Sequence, residues 1–478
     1  MQTVKIGFVP STWESWDGSE YSGRLQWAKA MRKRCLDVMA KIPGLEIVVP
    51  GEELTEFGCV GTVEEGMKVA ELFKKEEVKG MIVGNMNFGF ETALNPILSS
   101  IDREMPILHF CTKSGPYSPQ GNRATDTWCG QFMTCSAMKR RGLKFEHVLT
   151  CDPEEPIFAE KLEIFTRAVN AISRFKGARI LQIGTRPTGF ESEFCNEQLM
   201  MKKFRQTLVP VDLATAYETL DAITADDPRV QEIIRDIVGG ADEIIKETHD
   251  YDGSLINQAR FELTIKTLME QYHCDAVASS CWESLQHKYG IAACSTFSRL
   301  NNQGIITACE VDVMGALTML AMNACALGET PADFIDWTDL HPTEPNTWLA
   351  WHCGNAACAL CADGCKAVLR KNERLGLWSD HCFGAIEFRM KDGPVTCARM
   401  MEYDGKYTMF YGVGESVDIP PISRGCYAWV KVNDIADWET KMIEAGVVHH
   451  GVLIHDAKVA DALTMFCKFL DIEGVQGA

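Results

Sequence analysis

The stretch RFKGARILQIG, residues 174–184, decides how this chain divides. A basic lead, an apolar run and a terminal glycine read as the opening strand of an α/β unit. They arrive after one such unit has already run its course. VKIGFV (4–9) has a strand pattern, GRLQWAKAMRKRCLDVMAKI (23–42) a helical one, and LEIVV (45–49) is strand-like again. MKVAELFKKEEVKGMIVG (67–84) and MPILHFC (105–111) continue the alternation. After residue 184 the rhythm returns in VPVDLA (209–214), a long acidic helical region (228–249), CDAVASSC (274–281) and GIITACE (304–310). Strands alternating with helices predict parallel sheets flanked by helices. The turn GTRPTGF (184–190) lacks the glycine spacing of a dinucleotide fingerprint, and none follows the first strand, so dinucleotide binding has no support.

Past residue 350 the texture changes. FGAIEFRM, GPVTCARMMEY, KYTMFYGVGES and CYAWVKV are short strand patterns separated by Asp-Gly, Gly-Pro and Gly turns, closed by a helical ADALTMFCKFLDI (460–472). The expected fold is therefore α/β: two Rossmann-like (flavodoxin-like) parallel-sheet domains at 1–172 and 173–350, then a β-rich, barrel-like domain at 351–478.

Bulk composition narrows the function. The chain has 478 residues, 46% hydrophobic and 24% charged, which is an ordinary globular balance. A net charge of −19 without an offsetting basic run argues against nucleic acid and against an anionic membrane surface. The longest apolar stretch, 311–328, carries Asp312 and Asn323 and reads as a buried helix rather than a membrane span. The N-terminus enters a strand pattern with no export-signal character, so a cytoplasmic location and free thiols are expected for its twenty cysteines.

In α/β sheets ligands bind beyond the carboxyl ends of strands, so polar residues that end apolar runs are candidate site residues. Glu310 ends GIITACE, Asp336 lies in DFIDW, His352 ends TWLAWH, and His449-His450 sit in GVVHHGVLI. Each has a bland reading as a helix-end charge, a turn residue or a hydrogen-bonded structural histidine. Taken together, two carboxylates and one or two imidazoles form an O/N donor set suited to Mn²⁺ or Mg²⁺. WHCGNAACALCADGC (351–365) offers a rival: Cys353, Cys358 and Cys361 have C-x4-C-x2-C spacing, and with Cys365 could hold an iron–sulfur cluster. Cys358, Cys361 and Cys365 also fall at i, i+3 and i+7, which predicts one buried face of a helix over NAACALCADGCKAVL.

CEVDVMGALTMLAM (309–322), FIDW (334–337) and LAWHCGNAA (349–357) resemble the L-fucose/L-arabinose isomerase superfamily, in particular its fucose isomerase-like members. NMNFG (85–89), WCGQFMTCSAMKRRGLKFEHV (128–148), GTRPTGF, SRLNNQG (298–304), GPVT (393–396) and VHHGVLIHD (448–456) agree, in order along nearly the whole chain. The resemblance implies a metal-dependent aldose–ketose isomerase acting through a cis-enediol, using Mn²⁺ (Mg²⁺ or Co²⁺ being alternatives), and a homohexamer or related assembly. By the same resemblance Glu310 and Asp336 match metal-ligand carboxylates and are expected to be the catalytic pair. His450 matches a ligand from the C-terminal domain, and His352 a ligand used on the arabinose isomerase side. The N-terminal domain is expected to supply oligomer contacts and part of the substrate pocket. Trp13, Trp16, Asn87, Phe88, Trp128 and Gln131 are loop candidates for sugar contact, with His449 beside the ligand pair. Arg186 and Arg299 could hold a negatively charged substituent, so a sulfonated or phosphorylated sugar joins fucose- and arabinose-like sugars as a candidate substrate. A non-catalytic sugar-binding protein of the same fold is the alternative.

Overall fold

The computed structural model describes residues 1–13, 22–115, 125–374, 382–420 and 423–478. Its chain forms two compact units, Met1–Ser173 with Thr464–Asp471, and Arg174–Leu463 with Ile472–Ala478.

In the first unit, β1 (Val4–Ser11), β2 (Leu45–Val48), β3 (Gly80–Asn85), β4 (Ile107–Cys111) and β5 (Glu146–His147) make an all-parallel sheet, ordered β2-β1-β3-β4-β5. That order is the flavodoxin-like one. Every residue of β3 and β4 is buried, as a parallel strand covered on both faces requires. The helix Val63–Lys75 opens on a capping box, with Thr62 Oγ1 accepting from Glu65 N and the Glu65 carboxylate accepting from Thr62 N.

The second unit holds a parallel sheet and a barrel. β6 (Arg179–Ile183), β7 (Thr207–Val211), β9 (Ala276–Ser279) and β10 (Ile306–Ala308) are parallel in the order β10-β9-β6-β7, while the two-residue β8 (Glu243–Ile244) lies elsewhere. The remaining strands are β11 (Asp333–Leu340), β12 (Thr347–His352), β13 (Val368–Lys371), β14 (Phe383–Arg389), β15 (Gly393–Tyr403), β16 (Lys406–Val417), β17 (Cys426–Lys431), β18 (His450–Ile454) and β19 (Glu473–Gln476). Six of them close into an antiparallel ring, β16-β15-β18-β11-β12-β17 and back to β16. β14, β13 and β8 extend the sheet from β17, and β19 lies parallel on β16. The longest hairpin, β15–β16, turns at Asp404-Gly405 with both φ positive (52° and 80°). An Asp-Gly pair adopts that geometry readily, which is why the turn is legible in sequence.

The apolar stretch after Asp312 is a helix, Val313–Cys325, with every residue buried. The helix expected over NAACALCADGCKAVL does not form. One 3₁₀ turn, Cys358–Leu360, is followed by irregular chain and then β13. Its backbone groups bond across to the end of β14 instead of four residues back: Ala362 N donates to Arg389 O at 2.9 Å, and Leu360 O accepts from Lys391 N at 2.8 Å. Gly364, at φ 75°, breaks any helical continuation. None of the twenty cysteines is paired in a disulfide.

Candidate metal and catalytic site

Glu310 lies two residues past the end of β10, where the chain turns into the buried helix. Glu310 and Val311 both have positive φ (60° and 63°). For a β-branched valine this is a genuine outlier, costing on the order of 1–3 kcal/mol, and such strain is typical of functional junctions. Asp312 then caps the helix, accepting from Gly315 N at 2.7 Å. Asp336 on β11 stands directly opposite His450 on β18, so the barrel register itself brings a carboxylate and an imidazole together. His352 ends β12 and is buried, with the Phe334 ring 5.5 Å away.

The side chains converge on the His450 ring. Its Nε2 lies 3.3 Å from Glu310 Oε2 and 3.7 Å from Asp336 Oδ1. Its Nδ1 lies 2.9 Å from Asp312 Oδ2 and 3.4 Å from Glu193 Oε1. The Trp337 indole holds the His450 carbonyl at 3.1 Å, lying where a Cβ on Gly451 would stand only 2.4 Å from its ring. Glycine at 451 is thus what lets the tryptophan brace the histidine.

Charge is concentrated here. Burial pushes Glu193 up to about 9, against the pull of the His450 charge. Burial opposes a charged His450 too, but the adjacent Asp312 and Glu310 carboxylates outweigh it and raise the imidazole to about 10. Burial would likewise raise Glu310 and Asp312; His450 instead lowers Glu310, and Arg399 with His450 holds Asp312 well below the usual carboxylate range. His449 is lowered by burial and by its charged neighbour.

Buried donors without partners test whether a cation fits. Both Glu193 oxygens, Glu310 Oε2 and Asp336 Oδ1 are buried and accept no hydrogen bond, an arrangement that is costly unless a cation or proton satisfies it. Among the described residues two sets of donors could hold an ion: Glu193, Glu310, His449 and His450, and Asp336, His352 and His450, the atoms of each set lying within 4.8 Å of one another. Carboxylates with imidazoles suit Mn²⁺ or a similar divalent ion. Neither set contains a cysteine.

The four sequence candidates Glu310, Asp336, His352 and His450 are therefore brought together, with His449 at their edge. Arg186 is exposed and donates to Phe190 O at 2.9 Å; the Phe190 ring sits 4.9 Å from His449 and 5.2 Å from Trp282, placing the guanidinium on the loop that borders the cluster. Arg299 bonds Glu262 at 2.7 Å and approaches Asp236 at 3.6 Å, and the cluster's side chains are not among these partners. In the first unit Asn87 is buried, accepting from Trp13 N at 3.1 Å and donating to Thr12 Oγ1 at 2.8 Å, while the Trp13 and Phe88 rings pack 5.8 Å apart. Trp128 is exposed and packs edge-on against Phe132, and Gln131 donates to Thr150 at 3.4 Å. Trp16 lies outside the described residues. Sequence reasoning missed Glu193, Asp312 and Arg399. Glu193 lies on the short 3₁₀ turn Glu191–Glu193, in the polar loop that follows β6 and well past the strand's end, so it ends no apolar run and carried no signal of the kind that flagged Glu310.

Residues 24–176 match the model of the fucose/sulfoquinovose isomerase N-terminal domain, and residues 350–476 that of the L-fucose isomerase C-terminal domain. The chain belongs to the fucose isomerase-like family. It is one of that family's isomerases. Its relatives include sulfoquinovose isomerases from Alkalicoccus urumqiensis (26% identity over 64% of this chain and 66% of that protein), Priestia aryabhattai (26%, 67% and 69%) and a Clostridium species (26%, 75% and 78%). His352 and His450 lie inside the C-terminal match of this fucose isomerase-like chain, whereas Glu193, Glu310 and Asp336 fall between the two matched segments.

Proposed function

We propose that this chain is a divalent-metal-dependent aldose–ketose isomerase acting on a sugar that carries an anionic group, a sulfonated hexose foremost. The carrying observation is the cluster of orphaned, buried carboxylate oxygens around His450 Nε2. Glu310, Asp336, His450 and His352 would hold the ion, Mn²⁺ being the first choice and Mg²⁺ or Co²⁺ alternatives. When bound, such an ion supplies electrophilic polarisation of neighbouring sugar oxygens. Moving a carbonyl from C1 to C2 needs a base that takes the C2 proton and returns it at C1 through a cis-enediol, while the O2 hydroxyl proton passes to O1. Glu310 and Asp336 are the two carboxylates placed to do so, in either order.

The anionic reading rests on Arg186, whose exposed guanidinium gives one N–H to Phe190 O and has further donors to offer on the loop that carries Phe190 and Glu193 beside the histidines. It is also the chemistry named for the sulfoquinovose isomerase relatives. Self-association, hexameric by the family resemblance, would place the exposed Trp128 and Phe132 rings against a second copy. The test is a panel of neutral, phosphorylated and sulfonated aldoses scored for ketose with Mn²⁺. A sulfonated hexose should be turned over best, and Arg186→Ala should raise its KM about tenfold or more with little effect on neutral sugars. Preference for a neutral aldose, indifferent to Arg186, would sink the anionic reading.

A further inference from the structure

The Nδ1 side of His450 carries a second constellation. Asp312 Oδ2 lies 2.9 Å from Nδ1. Arg399 grips both oxygens of that carboxylate, at 3.1 Å from Nη2 to Oδ1 and through a short Nη1 contact to Oδ2. Asp312 Oδ1 is also the acceptor for Gly315 N at 2.7 Å. Next to Arg399 along β15, Met400 N donates to Thr318 Oγ1 at 3.1 Å, tying this strand to the helix that Asp312 caps. Asp312 and Arg399 are 0% and 1% exposed, so water does not loosen the pair.

A carboxylate gripped by a guanidinium only accepts hydrogen bonds, so Nδ1 of His450 must be the donor. That fixes the tautomer. Once the Nε2 proton is displaced, the unshared pair is on Nε2, the nitrogen facing Glu310 and Asp336. Glu193 Oε1 faces the same Nδ1 from 3.4 Å, farther than Asp312, so the shorter contact sets the ring. We propose that Asp312, locked by Arg399, is a positioning residue that holds His450 with Nε2 presented to the ion; the inference rests on the metal-dependent reading above. Outer partners of metal-bound histidines act in this way and alter ion affinity by roughly 10- to 100-fold when removed.

Removing Asp312 alone would confound orientation with charge, and would leave Arg399 buried and unpaired. The full chain should therefore be compared with Asp312→Asn and with the double variant Asp312→Ala/Arg399→Leu, which removes one negative and one positive charge together. Mn²⁺ affinity is read by competition with a chelator, the visible spectrum of the Co²⁺-loaded protein reports ligand geometry, and circular dichroism checks folding. The double variant should bind Mn²⁺ about 10- to 100-fold more weakly with shifted Co²⁺ bands. Asp312→Asn, whose amide oxygen still accepts from Nδ1, should fall between it and the parent. A folded double variant with parental Mn²⁺ affinity and Co²⁺ spectrum, altered only in Tm, overturns the positioning role. If neither variant folds, Arg399→Lys, which keeps a cation on Asp312, supplies the decision by the same two readouts: partial loss supports the role and parental values overturn it. A parent chain that binds no ion overturns the metal-dependent reading itself, an outcome visible before any variant is made.

Discussion

His450 is the residue on which the site turns, because its two nitrogens face different chemistry. Ion and proton compete for Nε2, and the ion-free imidazole stays charged up to about pH 10. Mn²⁺ affinity should therefore rise with pH below that value, by about tenfold per unit for one displaced proton, and binding should release a proton. Calorimetry in two buffers of different ionisation enthalpy reads that proton directly; a binding heat independent of buffer would contradict it. Glu193 makes a second expectation. Its folded value of about 9 lies above its usual 4.5, so the ion-free protein binds a proton there that the unfolded chain does not. Stability from this group is fully present below about 4.5 and is lost as pH rises toward 9. Denaturant unfolding in chelator should show that decline, and Glu193→Gln should flatten it while leaving the fall due to His450. Glu310, Asp336, His352 and His450 were visible in the sequence because each ends or interrupts an apolar run. Arg399 was not, because it lies inside the run GPVTCARMMEY and only the closed barrel shows that its partner is Asp312.

At the scale of elements, glycines and one strained turn set the geometry. A Cβ on Gly315 would stand 2.5 Å from the Phe334 ring and 2.8 Å from Asp312 Oδ2, disturbing the helix cap and the packing behind His450 at once. Gly315→Ala should cost roughly 1–3 kcal/mol, read as a lowered denaturation midpoint, and should also weaken Mn²⁺ binding. Unchanged values for both would mean the cap tolerates displacement. Strand and hairpin signals such as the Asp-Gly turn at 404–405 were legible because their chemistry is local. The cysteine segment misled because helical spacing at 358, 361 and 365 is local too, whereas its backbone partners on β14 lie about thirty residues away in sequence.

For the whole molecule, the alternation of strands and helices forecast two parallel sheets, and the short strand patterns between Asp-Gly, Gly-Pro and Gly turns forecast the β-rich domain. Neither revealed that the ring closes through β16–β17, since closure is a long-range pairing with no local signature. Self-association is the expectation that belongs at this scale. Sedimentation should show an assembly larger than one chain, and Trp128→Ser with Phe132→Ser should shift it toward the monomer; unchanged sedimentation would remove that surface from the interface. The central claim is that buried carboxylates around His450 hold an ion and carry the proton between adjacent sugar carbons. It is tested most directly by measuring bound Mn²⁺ and ketose formation together, on chelated, Mn²⁺-reconstituted and Glu310→Gln protein. The expected result is no turnover after chelation, recovery with Mn²⁺, and loss of turnover by at least a thousandfold in Glu310→Gln, about 4 kcal/mol in the barrier. Turnover that survives chelation, or a Glu310→Gln protein that retains both its ion and its rate, would contradict the account.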